Sequence, residues 1–365
     1  MLNARKDSTD RSPRRERRLL QDESRYPGSL LCSICPDRAL CGGLNIGVPS
    51  ISCLDNCCGG KDSCDVVCCR NNKKFVEHVR EIDGFDLANV PRAPAFPPPK
   101  LPSLLPVFFH GNMRANAFDA GPVCLPFFRI VGEGGHLKCP NESSLRRRFH
   151  LGADIPIILS ATAKDHAIEA WWNLGFTQKR EIILALRDLG VVAVTTPNYS
   201  LFTCQPRWDD MHSMKRIAIS WEEFQNAGMP AALHLNAATE RDSERWAEFA
   251  AERPEVVTIA FEFGTGAGRG ERRTLHAQRL VRIAQHVGRP MQLLVRGALD
   301  QFGVLRAGFQ DVSLLDTAAF MKTMHRQRAV VINGSMTWRS AATPKGQPLD
   351  DLLAHNISAI REILV

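Results

Sequence analysis

No stretch of this chain approaches the roughly 18 consecutive apolar residues that a membrane-spanning helix requires. The first twenty residues, MLNARKDSTDRSPRRERRLL, contain no apolar core and are not read as a secretory signal. A soluble, cytoplasmic protein with no membrane partner is the expectation that follows. There is no internal repeat beyond an alternation of strand and helix patterns, and no G-K-[ST] phosphate loop. What remains is 365 residues, 44% hydrophobic and 23% charged. That is the composition of an ordinary globular protein, long enough for one large α/β domain and a smaller appendage.

The cysteines are unevenly placed. Nine of the twelve fall between Cys32 and Cys69, in LCSICPDRALCGGLNIGVPSISCLDNCCGGKDSCDVVCC. In a reducing compartment such density points to metal or catalysis rather than to disulfides. Cys32, Cys35 and Cys41 form C-x2-C-x5-C, followed by Cys53, Cys57 and Cys58, then Cys64, Cys68 and Cys69. Close spacings let successive thiolates converge on one centre, and nine would fill two four-ligand sites with one to spare. Zinc and a [4Fe–4S] iron–sulfur cluster both take four cysteines, so spacing leaves the two open. Structural or redox thiols are a third reading. The adjacent pairs Cys57–Cys58 and Cys68–Cys69 favour clustered, multi-centre ligation.

Radical S-adenosylmethionine enzymes pair a barrel with a C-x3-C-x2-C loop. Here Cys53 and Cys57 lack the third partner, because position 60 is Gly, and no other triplet has that spacing. The C-x2-C-x5-C spacing is similar to part of the auxiliary-cluster motifs in some of those enzymes. Without the primary loop, radical chemistry is disfavoured.

The net charge of +7 is concentrated at the start. Seven basic residues among the first twenty (Arg5, Lys6, Arg11, Arg14, Arg15, Arg17 and Arg18) stand against Asp7, Asp10 and Glu16, seven minus three, or +4. A basic arm over residues 1–28 suits nucleic-acid phosphates, or is simply a solvated tail. Residues 29–90 are the cysteine-rich module. Residues 91–106 carry seven prolines, from Pro91 to Pro106, and read as an extended linker or as a strap packed on the following domain.

From residue 107 to 365 short apolar runs alternate with amphipathic stretches. Strands are expected at Pro106–His110, Leu125–Val131, Ile155–Ser160, Val191–Thr195, Ala231–Leu235, Val256–Phe263, Met291–Val295, Val312–Leu315 and Ala329–Ile332. Helices such as TQKREIILALRDLG and ERRTLHAQRLVRIAQHVG lie between them and stop at Gly190 and Gly288. Val/Ile/Leu-rich strands each followed by a helix argue for a parallel sheet. Seven such steps from Ile155, with one strand before them, predict a TIM-like (β/α)8 barrel. An open doubly wound sheet is the alternative.

In such a barrel the chemistry sits where strands end. Asn198 and Arg207 lie in the loop after Val191–Thr195. His234 and Asn236, two apart, share one side of their strand. Glu262 precedes GTGAGRG, a Gly-rich loop opening a helix, where backbone amides and Arg269 suit an anion, unless the loop is merely flexible. Arg296, Asp316 and Asn333 complete the ring of strand ends. Each has a plainer reading: His234 as a core residue, Asp316 as a helix cap. Glu262, between Phe261 and Phe263, needs a partner, and Arg296 on a neighbouring strand end is the one expected. Together these suggest an enzyme acting on a nucleotide or nucleic-acid base, with Glu262, His234, Asn236, Asn198 and Asp316 in catalytic roles. Arg207, Arg269, Arg296 and Asn333 would bind an anionic small molecule or nucleotide. The alternative is a non-catalytic nucleic-acid-binding or scaffold protein with a structural zinc module.

Asn198, Tyr199, Ser200, Leu201 and Phe202 at a strand end, Arg207 and Arg216 in the next helix, and His234 and Asn236 one strand on form a recognisable set. In it the chain resembles, over roughly residues 105–340, an uncharacterised domain-of-unknown-function family found in bacteria, phages and mobile elements. In that family a strand ends in Pro-Asp/Asn-aromatic-Ser-Leu and the next ends in a polar Asn. The resemblance implies a TIM-barrel-like fold and a mobile-element setting, and no reaction. Where members have Asp, this chain has Asn198.

The metal identity is open to direct measurement. Protein purified without oxygen is expected to be brown, with broad absorption near the violet, if the Cys32–Cys69 module holds iron–sulfur. A colourless, zinc-containing preparation would assign the module a structural role.

Overall fold

A computed structural model describes residues 78, 80–201, 207–264, 272–332 and 334–364, without the side chains of residues 207 and 208. The chain forms two compact units. The first takes Met1–Phe85, Leu201–His212 and Ala238–Arg241, and the second Asp86–Ser200, Ser213–Ala237 and Asp242–Val365. The cysteines at 32–69 and the basic arm lie outside the described residues.

The second unit is built on eight parallel strands: β1 (Leu104–Pro106), β2 (Val123–Pro126), β3 (Ile157–Ser160), β4 (Val191–Thr195), β5 (Ala231–His234), β6 (Thr258–Glu262), β7 (Gln292–Arg296) and β8 (Asp311–Asp316). Their order is β1-β8-β7-β6-β5-β4-β3-β2. Val107, one residue past β1, bridges in parallel to Cys124 of β2, and the Phe108 amide donates to the Cys124 carbonyl at 2.9 Å. That bridge brings the two ends of the sheet together into a barrel and excludes the open doubly wound alternative.

Helices follow the strands: α1 (Glu142–Phe149), α2 (Asp165–Trp172), α3 (Phe176–Asp188), α4 (Arg207–Asn226), α5 (Glu240–Ala251), α6 (Arg272–Val287), α7 (Phe302–Arg306), α8 (Ala318–Met324) and the terminal α9 (Asp350–Leu364). Gly190 and Gly288 stand just past α3 and α6 with φ of 78° and 66°, a left-handed stop that glycine adopts without steric cost.

Two expectations need correction. Ala329–Ile332 is not a barrel strand. It lies within β9 (Gln327–Ile332), which pairs antiparallel with β10 (Ser335–Ser340) in a separate two-stranded sheet. The eighth place belongs to β1, which begins two residues before the expected Pro106–His110. Proline-rich sequence before it, and Pro106 within it, conceal a three-residue strand, since a parallel ladder of that length survives without every N–H.

The barrel interior takes one residue from each strand: Leu105, Cys124, Ile158, Ala193, Ala232, Ala260, Leu294 and Leu315, with Val107 beside them. Alanines on three neighbouring strands keep this layer from overfilling. Burial pushes the Cys124 thiol up to about 12, so it acts as a small apolar filler and not as a thiolate.

The proline-rich residues 91–103 run across the N-terminal ends of the strands. Lacking amide donors, they leave carbonyls that side chains satisfy. Gln225 donates to Pro94 at 3.2 Å, Gln292 to Pro99 at 2.8 Å and Arg253 to Pro91 at 3.2 Å. A small hollow under this strap is lined by Phe96, Pro97, Pro99, Ala193, Ala232 and Leu294, among others. It sits at the end of the barrel that serves stability rather than chemistry.

Ala260→Leu would press extra methylenes into the closed interior. It is expected to cost about 1–3 kcal/mol, read as a lower urea midpoint with an unchanged slope.

Candidate active site at the strand ends

Strand side chains alternate between faces, so the residue two further on from each interior position shares its side of the strand. From Ile158, Ala193, Ala232, Ala260 and Leu294 this step reaches Ser160, Thr195, His234, Glu262 and Arg296. On five consecutive strands an apolar layer thus gives way to a polar one at the C-terminal end. Ser160, Thr195, His234 and Glu262 are buried. Among the described residues, the Ser160 Oγ, both ring nitrogens of His234 and the Glu262 Oε2 have no hydrogen-bond partner. Buried polar atoms without partners are costly unless water or a ligand meets them.

Glu262 and Arg296 are register mates on adjacent strands. The carboxylate Oε2 lies 3.3 Å from a guanidinium nitrogen, an ion pair without hydrogen-bond alignment, and the side chains are 3% and 33% exposed respectively. Oε1 folds back to accept the Gly264 amide, and a side chain at 264 would collide with it. Burial pushes the Glu262 carboxyl above its ordinary 4.5, and that outweighs the opposing pull of Arg296 and the Gly264 amide. A carboxyl so placed can hold or release a proton nearer neutrality, and it faces a cation that is open to solvent.

His234 is pushed down to about 3 by burial, so its imidazole is neutral at physiological pH and offers a donor and an acceptor rather than a charge. Asn236 donates to the Tyr199 carbonyl at 2.7 Å, while its own carbonyl accepts from the Trp246 indole at 2.7 Å. Asn198 Oδ1 accepts the Ala163 amide at 3.2 Å. Asp316 uses both carboxylate oxygens to accept the amides of Ala318 and Ala319, at 3.1 and 2.7 Å, at the start of α8. Its neighbour Leu315 points into the barrel, so alternation turns Asp316 away from the interior. Asn198, Asn236 and Asp316 therefore hold loops and a helix end, and Glu262, Arg296 and His234 are the expected residues on the polar layer.

Arg207 opens α4, with its side chain outside the described atoms; Arg269 and Asn333 are outside them too. Asn333 follows β9, so its expected place in the ring of barrel strand ends is corrected with that strand. The loop residues from Asn198 to Ser200 are clamped from several sides. The Arg216 guanidinium lies 4.2 Å over the Tyr199 ring and pairs with Glu169 at 2.6 Å, and Ser200 donates to Asp165 at 2.8 Å.

The first unit brings together three residues that the sequence reading passed over. His78, Asp209 and His212 place a ligand atom each within 4.8 Å of one another. The legible signal was Asp209-x-x-His212, two ligand types on one helical face. Its third member lies 131 residues away from Asp209, which no local pattern reveals.

No family model and no curated protein matches this chain. Twelve chains of solved structures do. One, described as a "putative lyase/mutase" from Burkholderia cenocepacia J2315, matches over 68% of this chain and 87% of its own, at 14% identity and a TM-score of 0.33. So low a score carries no weight for this chain, and the barrel rests on its own strand order. No helix among the described residues is long and apolar enough to cross a membrane.

The raised Glu262 carboxyl has a signature in stability. Folded protein keeps this proton at pH values where the unfolded chain, at about 4.5, has lost it, so stability falls as pH rises through that window. Glu262→Gln has no such proton to lose. Its melting temperature relative to wild type should therefore climb from about pH 4.5 until the folded value is passed, then level. A difference independent of pH would contradict the assignment.

Proposed function

We propose that the barrel is an enzyme performing acid–base chemistry on a nucleotide or nucleic-acid base held over the C-terminal ends of the strands. Glu262 moves the proton and Arg296 holds the anionic group. The observation that carries this reading is the pairing of a buried, upward-shifted carboxyl with a part-exposed guanidinium on the next strand. An anion arriving at Arg296 competes with Glu262 for the cation. Once that counter-charge is shared, the carboxyl is driven further toward its protonated form, as a general acid requires. The neutral His234 imidazole and the Ser160 hydroxyl, both with unused hydrogen-bonding atoms, supply orienting contacts for a heterocycle's polar edge. The net positive charge of the chain suits a phosphate-bearing substrate. In this reading the basic arm and a metal-loaded Cys32–Cys69 module present a nucleic-acid chain to the barrel.

Calorimetric titration of the full chain with the four nucleoside monophosphates tests it. Arg296→Met should weaken binding by about 10-fold or more, the loss of charge-assisted hydrogen bonds. Glu262→Gln should bind at least as tightly as wild type, because a negative charge beside the anion is removed. Equal binding by Arg296→Met and wild type, or no binding to any of the four, would overturn the reading.

A further inference from the structure

The first unit contains a cluster of its own. Asp209 and His212 sit three apart near the start of α4, so they share a helical face. His78, far away in sequence, stacks its ring on that of His212, with centroids 4.1 Å apart and planes 11° from parallel. The His212 side chain is only 4% exposed, and its Nε2 lies 2.8 Å from the Glu81 carboxylate. One ligand atom from each of His78, Asp209 and His212 falls within 4.8 Å of the other two.

We propose that His78, Asp209 and His212 hold a divalent transition-metal ion. Two imidazoles and one carboxylate are the donor set of zinc and of non-haem ferrous sites, and imidazole argues against calcium or magnesium. A tetrahedral ion with bonds of about 2.0–2.1 Å wants its ligand atoms about 3.4 Å apart. The atoms, now within 4.8 Å, would reach that spacing on binding if the stacked rings of His78 and His212 turned toward the ion. If His212 binds the ion through Nδ1, Glu81 at its Nε2 would be the outer carboxylate that metal-binding histidines take on their other ring nitrogen, fixing the ring and raising its basicity. Three protein ligands leave a coordination position for water or a small anion. The competing account is a metal-free chain of stacked imidazoles and carboxylates, which has the same contacts and no ion.

Cobalt separates this centre from cysteine ligation. The full-length protein would be stripped with a chelator and reloaded with Co2+ without oxygen. Thiolate ligation gives an intense near-ultraviolet charge-transfer band, whereas imidazole and carboxylate ligands give only weak visible bands. His212→Ala and Asp209→Asn, checked for folding by circular dichroism, should each bind about one equivalent less metal than wild type. They should lose visible intensity and leave any thiolate band intact. Glu81→Gln should keep the stoichiometry while binding about 10- to 100-fold more weakly. Unchanged stoichiometry and spectra in the two ligand variants would overturn the proposal. Should those variants not fold, X-ray absorption at the zinc edge of the zinc-loaded wild type decides. Imidazole scattering supports the site, and a first shell of sulfur alone refutes it.

Discussion

A ring of parallel strands has an inside and an outside, and both must be filled. That constraint governs the second unit. Small or medium apolar side chains occupy the closed interior, with alanine on β4, β5 and β6. The outer faces carry larger groups such as Leu233, Ile259 and Phe261, which are buried. Because strand side chains alternate between faces, filling the middle of the barrel also decides which side chains appear one step further along. That step delivers Ser160, Thr195, His234, Glu262 and Arg296 to the same end, and packing and site arise from one periodicity.

The two ends of the barrel solve opposite problems. At the N-terminal end the proline-rich strap brings carbonyls that have no ladder to join, and Gln225, Gln292 and Arg253 satisfy them. At the C-terminal end several buried polar atoms stay without partners among the described residues. The first arrangement lowers the free energy of the fold. The second leaves hydrogen-bonding capacity for something brought from outside, as binding sites do.

The loop after β4 shows how a conspicuous sequence pattern acquires a structural role. Asn198, Tyr199 and Ser200 are each tied down, by the Ala163 amide, the Arg216 guanidinium and Asp165. Burial pushes the Tyr199 hydroxyl upward, so it stays neutral. Arg216 is nearly enclosed and also joined to Glu169, so it serves the loop rather than a ligand. A run of polar residues at a strand end marks the position of a site in a barrel, and only the hydrogen-bond partners tell which members are available to act.

From the sequence alone came the alternation of strands and helices, the helix stops at Gly190 and Gly288, and the expectation that Glu262 would meet Arg296. These are readable because they depend on spacings of two to four residues, or on neighbouring strands of like length. Tertiary structure decided what depends on distant partners. The Val107–Cys124 bridge closes the barrel, β9 leaves it for a hairpin with β10, and Asp316 turns its carboxylate to a helix start. His78 likewise reaches Asp209 and His212 across more than a hundred residues. A local pattern records which face a side chain takes, and chain folding alone determines what stands opposite it.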